Sequence, residues 1–309
     1  MIFTVTLNPA LDKTAVIGGF TPGAVNRITS VRVDPGGKGV NVSKCLAALG
    51  TSSVAAMLLG GDTGRQLEGM LSEAKIKVLK VELEGQTRTN MKIIDPDAGA
   101  NTDINEPGPQ VQPAQLEQLK QQILQRLQPG DLVVLSGSLP ADAPQTLYRD
   151  WCREFQAHGA LVLLDADGEA LRYGIEAVPY LIKPNDAELS RLMGRPLENE
   201  QQLLEAGREL VAKGIRDVII SRGGEGALFL TRKDAFRVKG LQVPVQSTVG
   251  AGDSMVAAMA FALEREMSRT EQIGLAMAMS AASVMQSGSQ PPSLKTVYDV
   301  AQQVVVEEL

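Results

Sequence analysis

From about residue 130 onward, short continuous apolar runs alternate with segments of helical period. This alternation limits the possible folds more than any other feature of the chain. The runs LVVL (132–135), LVLL (161–164) and VII (218–220) carry no polar residue on either face. A half-exposed strand would alternate apolar and polar, so unbroken runs mark strands buried on both sides. Between them lie APQTLYRDWCREFQAHG (143–159), closed by Gly159, and EQQLLEAGRELVAKG (200–214), both with helical spacing. YLIKPNDAEL (180–189) reads as a strand entering a helix capped by Asn185 or Asp186. DVIISRGGEGALFL (217–230) reads as two strands about a tight turn. IFTVTLN, GVNVSKCLAALG and SSVAAMLLG near the N-terminus extend the scheme as strand, helix and strand. Strands alternating with helices predict an α/β fold with a parallel sheet and right-handed crossovers.

Two stretches depart from this rhythm. Residues 14–37 contain turn residues and no helix signal, and residues 87–108 alternate apolar and polar. Both read as hairpin-like strands outside the main sheet, forming a small cover over one end of the core. QVQPAQLEQLKQQILQRLQ (110–128) is Gln-rich but helically periodic, and reads as a solvated helix.

Composition narrows the function classes. At 309 residues with net charge −6, the chain has ample core but no general affinity for nucleic acid. Cys45 and Cys152 lie far apart without metal-like spacing, which points to a reducing, cytoplasmic compartment. The N-terminus reads as a strand, and the late apolar stretch GLAMAMSAASVM (274–285) is too short to span a bilayer. A single histidine, His158, makes a Ser-His-Asp triad improbable; ahead of Gly159 it reads as a surface or capping residue.

In open parallel sheets, ligands bind at the carboxyl ends of the strands. Those ends here are NPALD, SGS, DADGE, KPND and SRGGEG. To them is added GAGD (250–253), at the head of a helix whose apolar residues continue from Met255 to Leu263. Asp253 there could be an ordinary N-cap. Alternatively, glycine amides at a helix N-terminus form an anion hole, and a carboxylate beside it removes a proton from a hydroxyl that attacks the anion. DPGGKGVNVS (34–43) is a Gly-rich helix entry but not a phosphate loop, because Gly39 follows Lys38 where Ser or Thr is required. No complete G-x-G-x-x-G follows a strand, which disfavours dinucleotide-dependent hydride transfer. Arg27 and Arg88, in the two cover stretches, are either solvated charges or anion clamps.

GGKGVNVS, KPNDAEL and TVGAGDS, in that order, resemble the signatures of the ribokinase-like, or PfkB, carbohydrate kinases, and the resemblance spans essentially the whole chain. TVTLNPALD, TRTN, TDINEPGP and SGSLP place it nearer the phosphosugar branch of that family. The resemblance implies one ribokinase-like domain over 1–309, a three-layer α/β/α sandwich with a β-sheet lid inserted from about 14–33 and 88–105. It implies ATP and Mg²⁺ as cofactors and a ketohexose monophosphate as substrate, fructose 1-phosphate ahead of tagatose 6-phosphate. Fructose 6-phosphate, or a non-catalytic sugar-phosphate sensor, ranks lower.

The same resemblance implies Asp253 as general base and the amides of Gly250, Ala251 and Gly252 as anion hole. Asp12, Gly37, Lys38 and Asn41 would hold sugar hydroxyls. Arg88 would clamp the substrate's phosphate with Lys38 and Ser138, and Arg27 is a similar candidate, offered to a neighbouring subunit. Lys183, Asn185 and Glu188 resemble the nucleotide and magnesium motif, with Asn185 and Glu188 at the metal. Ser221, Gly223, Gly224 and Gly226 resemble the loop beside the ATP phosphates. One departure is DADGEAL (165–171), where Ala166 stands in a segment that is often Ser-rich in the family. The exposed edge of a small lid further implies a homodimer formed through it.

Overall fold

The computed structural model describes residues 1–309. Its elements, in chain order, begin with β1 (Ile2–Thr6), β2 (Ala10–Val16), β3 (Ser30–Gly36), α1 (Lys38–Ala48), β4 (Ser53–Gly60), α2 (Gly61–Glu73), β5 (Lys77–Leu83), β6 (Arg88–Asp95), β7 (Ala100–Asn105) and α3 (Pro113–Leu124). They continue with β8 (Leu132–Ser136), α4 (Leu147–Ala157), β9 (Leu161–Asp165), α5 (Gly168–Gly174), β10 (Leu181–Ile182), α6 (Asp186–Met193) and α7 (Glu200–Ala212). The last are β11 (Asp217–Ser221), β12 (Gly226–Leu230), β13 (Ala235–Lys239), α8 (Ala251–Glu264), α9 (Arg269–Val284), α10 (Leu294–Ala301) and β14 (Val306–Glu308).

Ten strands form one sheet in the order β14-β13-β12-β11-β10-β9-β8-β1-β4-β5. The seven from β11 to β5 are parallel to their neighbours, as the apolar runs predict. The other edge is not parallel: β12, β13 and β14 add antiparallel to β11 and to one another. The physical reason is loop length. Only Arg222 to Glu225 separate β11 from β12, too few residues for a crossover helix.

The pleat sends alternate residues into different layers. Val133 and Leu135 of β8 pack with Tyr148, Trp151 and Phe155 of α4 and Leu116 and Leu119 of α3. Leu132 and Val134 of the same strand pack with Leu46 of α1 and with α8 and α9. Helices on both faces therefore cover a sheet whose inner strands, such as β1 and β8, have no solvent side, which is the three-layer α/β/α arrangement.

A separate four-stranded sheet, β3-β2-β6-β7, makes the lid. Its boundaries differ from those read in the sequence. Ala10 already pairs with Gly36, so the lid begins at β2, and residues 17–29, including Arg27, are a connection rather than strand. NPALD looked like a polar loop because Asn8 and Pro9 break β1. The turn is only three residues long, and Asp12 lies inside a lid strand.

Helices α1 and α8 pack against each other and carry the site residues described below, so their contact fixes the site's dimensions. Leu46 is fully buried in that layer. Leu46→Ala is expected to cost about 2–5 kcal/mol, read as a lower midpoint of denaturant unfolding with an unchanged slope.

Candidate active site

Six chain segments meet at the carboxyl edge of the parallel strands. β1 leads to Asn8, β8 to Ser136–Ser138, β9 ends at Asp165, β10 leads to Lys183, and β11 ends at Ser221; α8 begins at the same edge. All border one cavity of about 530 Å³ with a single apolar lining residue, Val249. Of the residues singled out in the sequence, Gly37, Lys38, Asn41, Arg88, Ser138, Lys183, Asn185, Glu188, Ser221, Gly250, Gly252 and Asp253 line it.

Asp253 is not an N-cap. The cap of α8 is Gly250, held at φ 82 in the left-handed region that glycine alone adopts freely. Asp253 follows three residues later, buried, and its Oδ2 accepts a 2.8 Å hydrogen bond from Asn41 Nδ2. The ordinary capping alternative is therefore set aside. Gly252 allows a close approach: a Cβ there would lie 2.9 Å from Lys183 Nζ. The Ala251 amide turns back to Thr248 O at 3.5 Å, and Ala251 borders a neighbouring cavity instead.

Electrostatics centre on Asp165, which the sequence reading left among the polar strand ends without a role. Its buried carboxylate lies 3.4 Å from Lys183 Nζ and 3.6 Å from Lys38 Nζ, and neither oxygen accepts a geometrically sound hydrogen bond. Burial alone would raise its pKa, but the two ammonium groups outweigh burial and hold Asp165 ionised. Burial would likewise depress Lys38, yet Asp165, Asp253 and Glu188 hold its ammonium above its ordinary range. Asp253 is pushed up to about 6, first by burial and next by the negative charge of Asp165, against the pull of Asn41, Lys38 and Lys183. The signal that could have identified Asp165 is its position: it ends an apolar run on the same rim as Lys183.

The remaining candidates are distributed as follows. Asn185 caps α6 and Glu188 closes a reciprocal capping box, its Oε2 accepting from Asn185 N–H at 2.9 Å. Asp12 lies off the main cavity, facing a smaller one of about 210 Å³ under the lid, where Asn90 Nδ2 donates to it at 3.0 Å. Burial raises the Asp12 carboxyl above its usual range. Arg88 donates to the carbonyls of Asn8 and Glu106. The structure does not bring Arg27 to the cavity of its own chain; it is exposed on the connection between β2 and β3.

Ser221, Gly223, Gly224 and Gly226 border an adjoining pocket of about 260 Å³. Half of that pocket is apolar, with Leu241, Val243, Met255, Met277 and Val284 among its residues. These escaped the sequence reading because an apolar residue that lines a pocket has the same pattern as one that fills a core. Ser221 and Gly252 border both spaces, so the polar cavity and the apolar pocket join beside the first turn of α8.

A model of the pfkB family carbohydrate kinases matches residues 5–296. A 1-phosphofructokinase of Xanthomonas campestris is 39% identical over 98% of this chain and 97% of its own. A 1-phosphofructokinase of Haemophilus influenzae is 36% identical over 93% of this chain and 91% of its own. Among solved structures, phosphofructokinase-2 from Escherichia coli in complex with substrates and products superposes with a TM-score of 0.94 at 31% identity, covering 98% of both chains.

The raised Asp253 pKa has a measurable consequence for stability. The folded state binds this proton more tightly than the unfolded chain, whose carboxyl titrates near 3.9. The ionised carboxylate therefore opposes folding, not at all below the unfolded value and fully above about pH 6. Asp253→Asn is expected to gain roughly 2–3 kcal/mol at pH 8, a gain that shrinks as pH falls from 6 towards 4. Equal stability of the two proteins at pH 8 would contradict it.

Proposed function

The chain belongs to the pfkB family of carbohydrate kinases, and on that premise we propose that it transfers the γ-phosphoryl group of ATP to fructose 1-phosphate, giving fructose 1,6-bisphosphate. The observation that carries this reading is the buried, base-poised Asp253 at the first turn of α8, in a cavity that also holds Lys38, Lys183 and Arg88. Full-length relatives named 1-phosphofructokinase support fructose 1-phosphate over tagatose 6-phosphate.

The apolar pocket suits an adenine ring, and its junction with the polar cavity suits a triphosphate running towards Gly252. Asp253 takes the proton from the attacking hydroxyl. The free amides of the first turn and the Lys183 ammonium meet the charge that builds on the transferring group. Lys38 and Arg88 offer positive charge to the phosphate the sugar already carries, and Asp12, Asn90 and Asn105 offer polar atoms to its hydroxyls.

The cavity carries four carboxylates (Asp165, Asp167, Glu188, Asp253) against three cations (Lys38, Arg88, Lys183). Two phosphorylated ligands entering it need a further cation. Glu188, with one carboxylate oxygen outside the capping box, and Asn185 supply the oxygen donors a hard divalent ion prefers, so Mg²⁺ fits. When bound, the ion neutralises phosphate charge and aligns the donor.

The connection and the two outer strands of the lid expose Val25, Ile28, Val31 and Ile104. Covering them with the same face of a second copy makes a homodimer, and places the exposed Arg27 where another subunit's substrate can use it. No helix is long and apolar enough to cross a membrane, and both cysteines are free and buried; a cytoplasmic location is part of the same proposal.

In a coupled assay of ADP release with ATP and Mg²⁺, kcat/KM for fructose 1-phosphate should exceed that for tagatose 6-phosphate, fructose 6-phosphate and fructose by tenfold or more, about 1.4 kcal/mol. Asp253→Asn should lower kcat by about 10²–10⁴-fold. Activity should fall as pH drops through about 6, where the base becomes protonated. A preference for another acceptor would move the substrate assignment, and an active Asp253→Asn variant would remove the base. Sedimentation at micromolar concentration should give a dimer; a monomer would refute the lid interface.

A further inference from the structure

Three residues along α1 from Asn41 lies Lys44, a buried lysine that belongs to none of the groups described so far. Its ammonium makes three hydrogen bonds, all to neutral acceptors: Pro35 O at 3.0 Å, Asn41 Oδ1 at 3.1 Å and Ser289 Oγ at 3.1 Å. The three acceptors come from different places. Pro35 is in lid strand β3, Asn41 is the amide on the candidate base, and Ser289 lies in the turn after α9, whose inner face lines the apolar pocket.

We propose that Lys44 is a positioning residue for the general base, fixing which end of the Asn41 amide faces Asp253 and tying that amide to the lid and to the turn after α9. The reasoning is one of donors and acceptors. An ammonium can only donate and an ionised carboxylate can only accept. Between them, Asn41 satisfies both in one orientation: oxygen towards Lys44, NH₂ towards Asp253. Reversed, donor would face donor and acceptor would face acceptor. Without Lys44 nothing on that side distinguishes the two orientations, and Asn41 is the only side chain that donates to Asp253. A second bond joins the same regions, since Arg32 of β3 donates to Ser287 O at 2.8 Å. The lid strand is thus fastened to the turn behind the nucleotide pocket at two points, and Lys44 is the one that also reaches the base.

This inference rests on Asp253 acting as the base, and the experiment separates the two. Charged groups near Asp253 are Asp165 from β9, Lys38 from α1 and Lys183 beyond β10; those near Lys44 are Asp34 and Asp12 of the lid strands and Asp253 itself, with the neutral Cys45 thiol beside it on its own helix. Lys44→Met should lower the plateau kcat about tenfold to a hundredfold, by analogy with groups that orient metal ligands, with KM for the phosphosugar changed far less. The acid limb should move to higher pH, because Asp253 loses both a donor and a nearby positive charge. Loss of charge alone would move the limb and leave the plateau intact. Lys44→Arg should recover most of the plateau. Asn41→Ala combined with Lys44→Met should be no slower than Asn41→Ala alone, because Lys44 works through that amide. If Lys44→Met does not fold, Lys44→Gln is judged by the same outcomes. A plateau kcat within twofold of wild type, or penalties that multiply in the double variant, would overturn the proposal. An active Asp253→Asn protein would instead overturn the reading beneath it.

Discussion

Two carboxylates share two ammonium groups along one wall of the polar cavity, and the site depends on how that charge is divided. Asp165 takes both lysines at ion-pair distance. Asp253, deprived of a cation in direct contact, is left with one amide hydrogen bond and the repulsion of its neighbour. One carboxylate therefore stays charged throughout the physiological range, while the other holds its proton more readily than usual. Neighbouring carboxylates with pKa values pushed apart are a recognised way to set acid–base roles. The division follows from topology: Asp165 and Lys183 leave adjacent parallel strands on the same rim, whereas Asp253 arrives on a helix from the face behind.

Much of this was legible in the chain. Runs such as LVVL announce strands covered on both faces, and GAGD announces a glycine-capped helix with a carboxylate in its first turn. Three kinds of feature were not. The tight turn of SRGGEG already gives the β11–β12 hairpin, but β13 and β14, which extend that antiparallel edge, were not legible. The start of the lid at Ala10 depends on pairing with Gly36, a contact between residues twenty-six positions apart. Asp165 and Lys44 owe their importance to partners distant in sequence. Lys44 reads as an unremarkable charge on an amphipathic helix until Pro35 and Ser289 close around it.

The apolar pocket illustrates the same limit from the other side. Met255 and Met277 obey helical spacing as core residues do, and their neighbours Val256 and Ala276 are core. Whether such a side chain fills the interior or forms the wall of an opening depends on what stands opposite. Here that is the Gly-rich turn between β11 and β12, whose glycines present little bulk, so a gap remains between them and α9.

The lid's outer strands have a consequence for assembly geometry. β7 is exposed along its whole length and spells ANTDIN, while β3 at the opposite margin contains Pro35, which has no amide hydrogen to donate. Polar, charged and proline-bearing margins resist the addition of a further strand. Two such lids therefore do not merge into one continuous ribbon by backbone pairing. In the proposed homodimer the contact would instead run through side chains on the lids' broad surfaces, an arrangement that could loosen and tighten without breaking a ladder of hydrogen bonds.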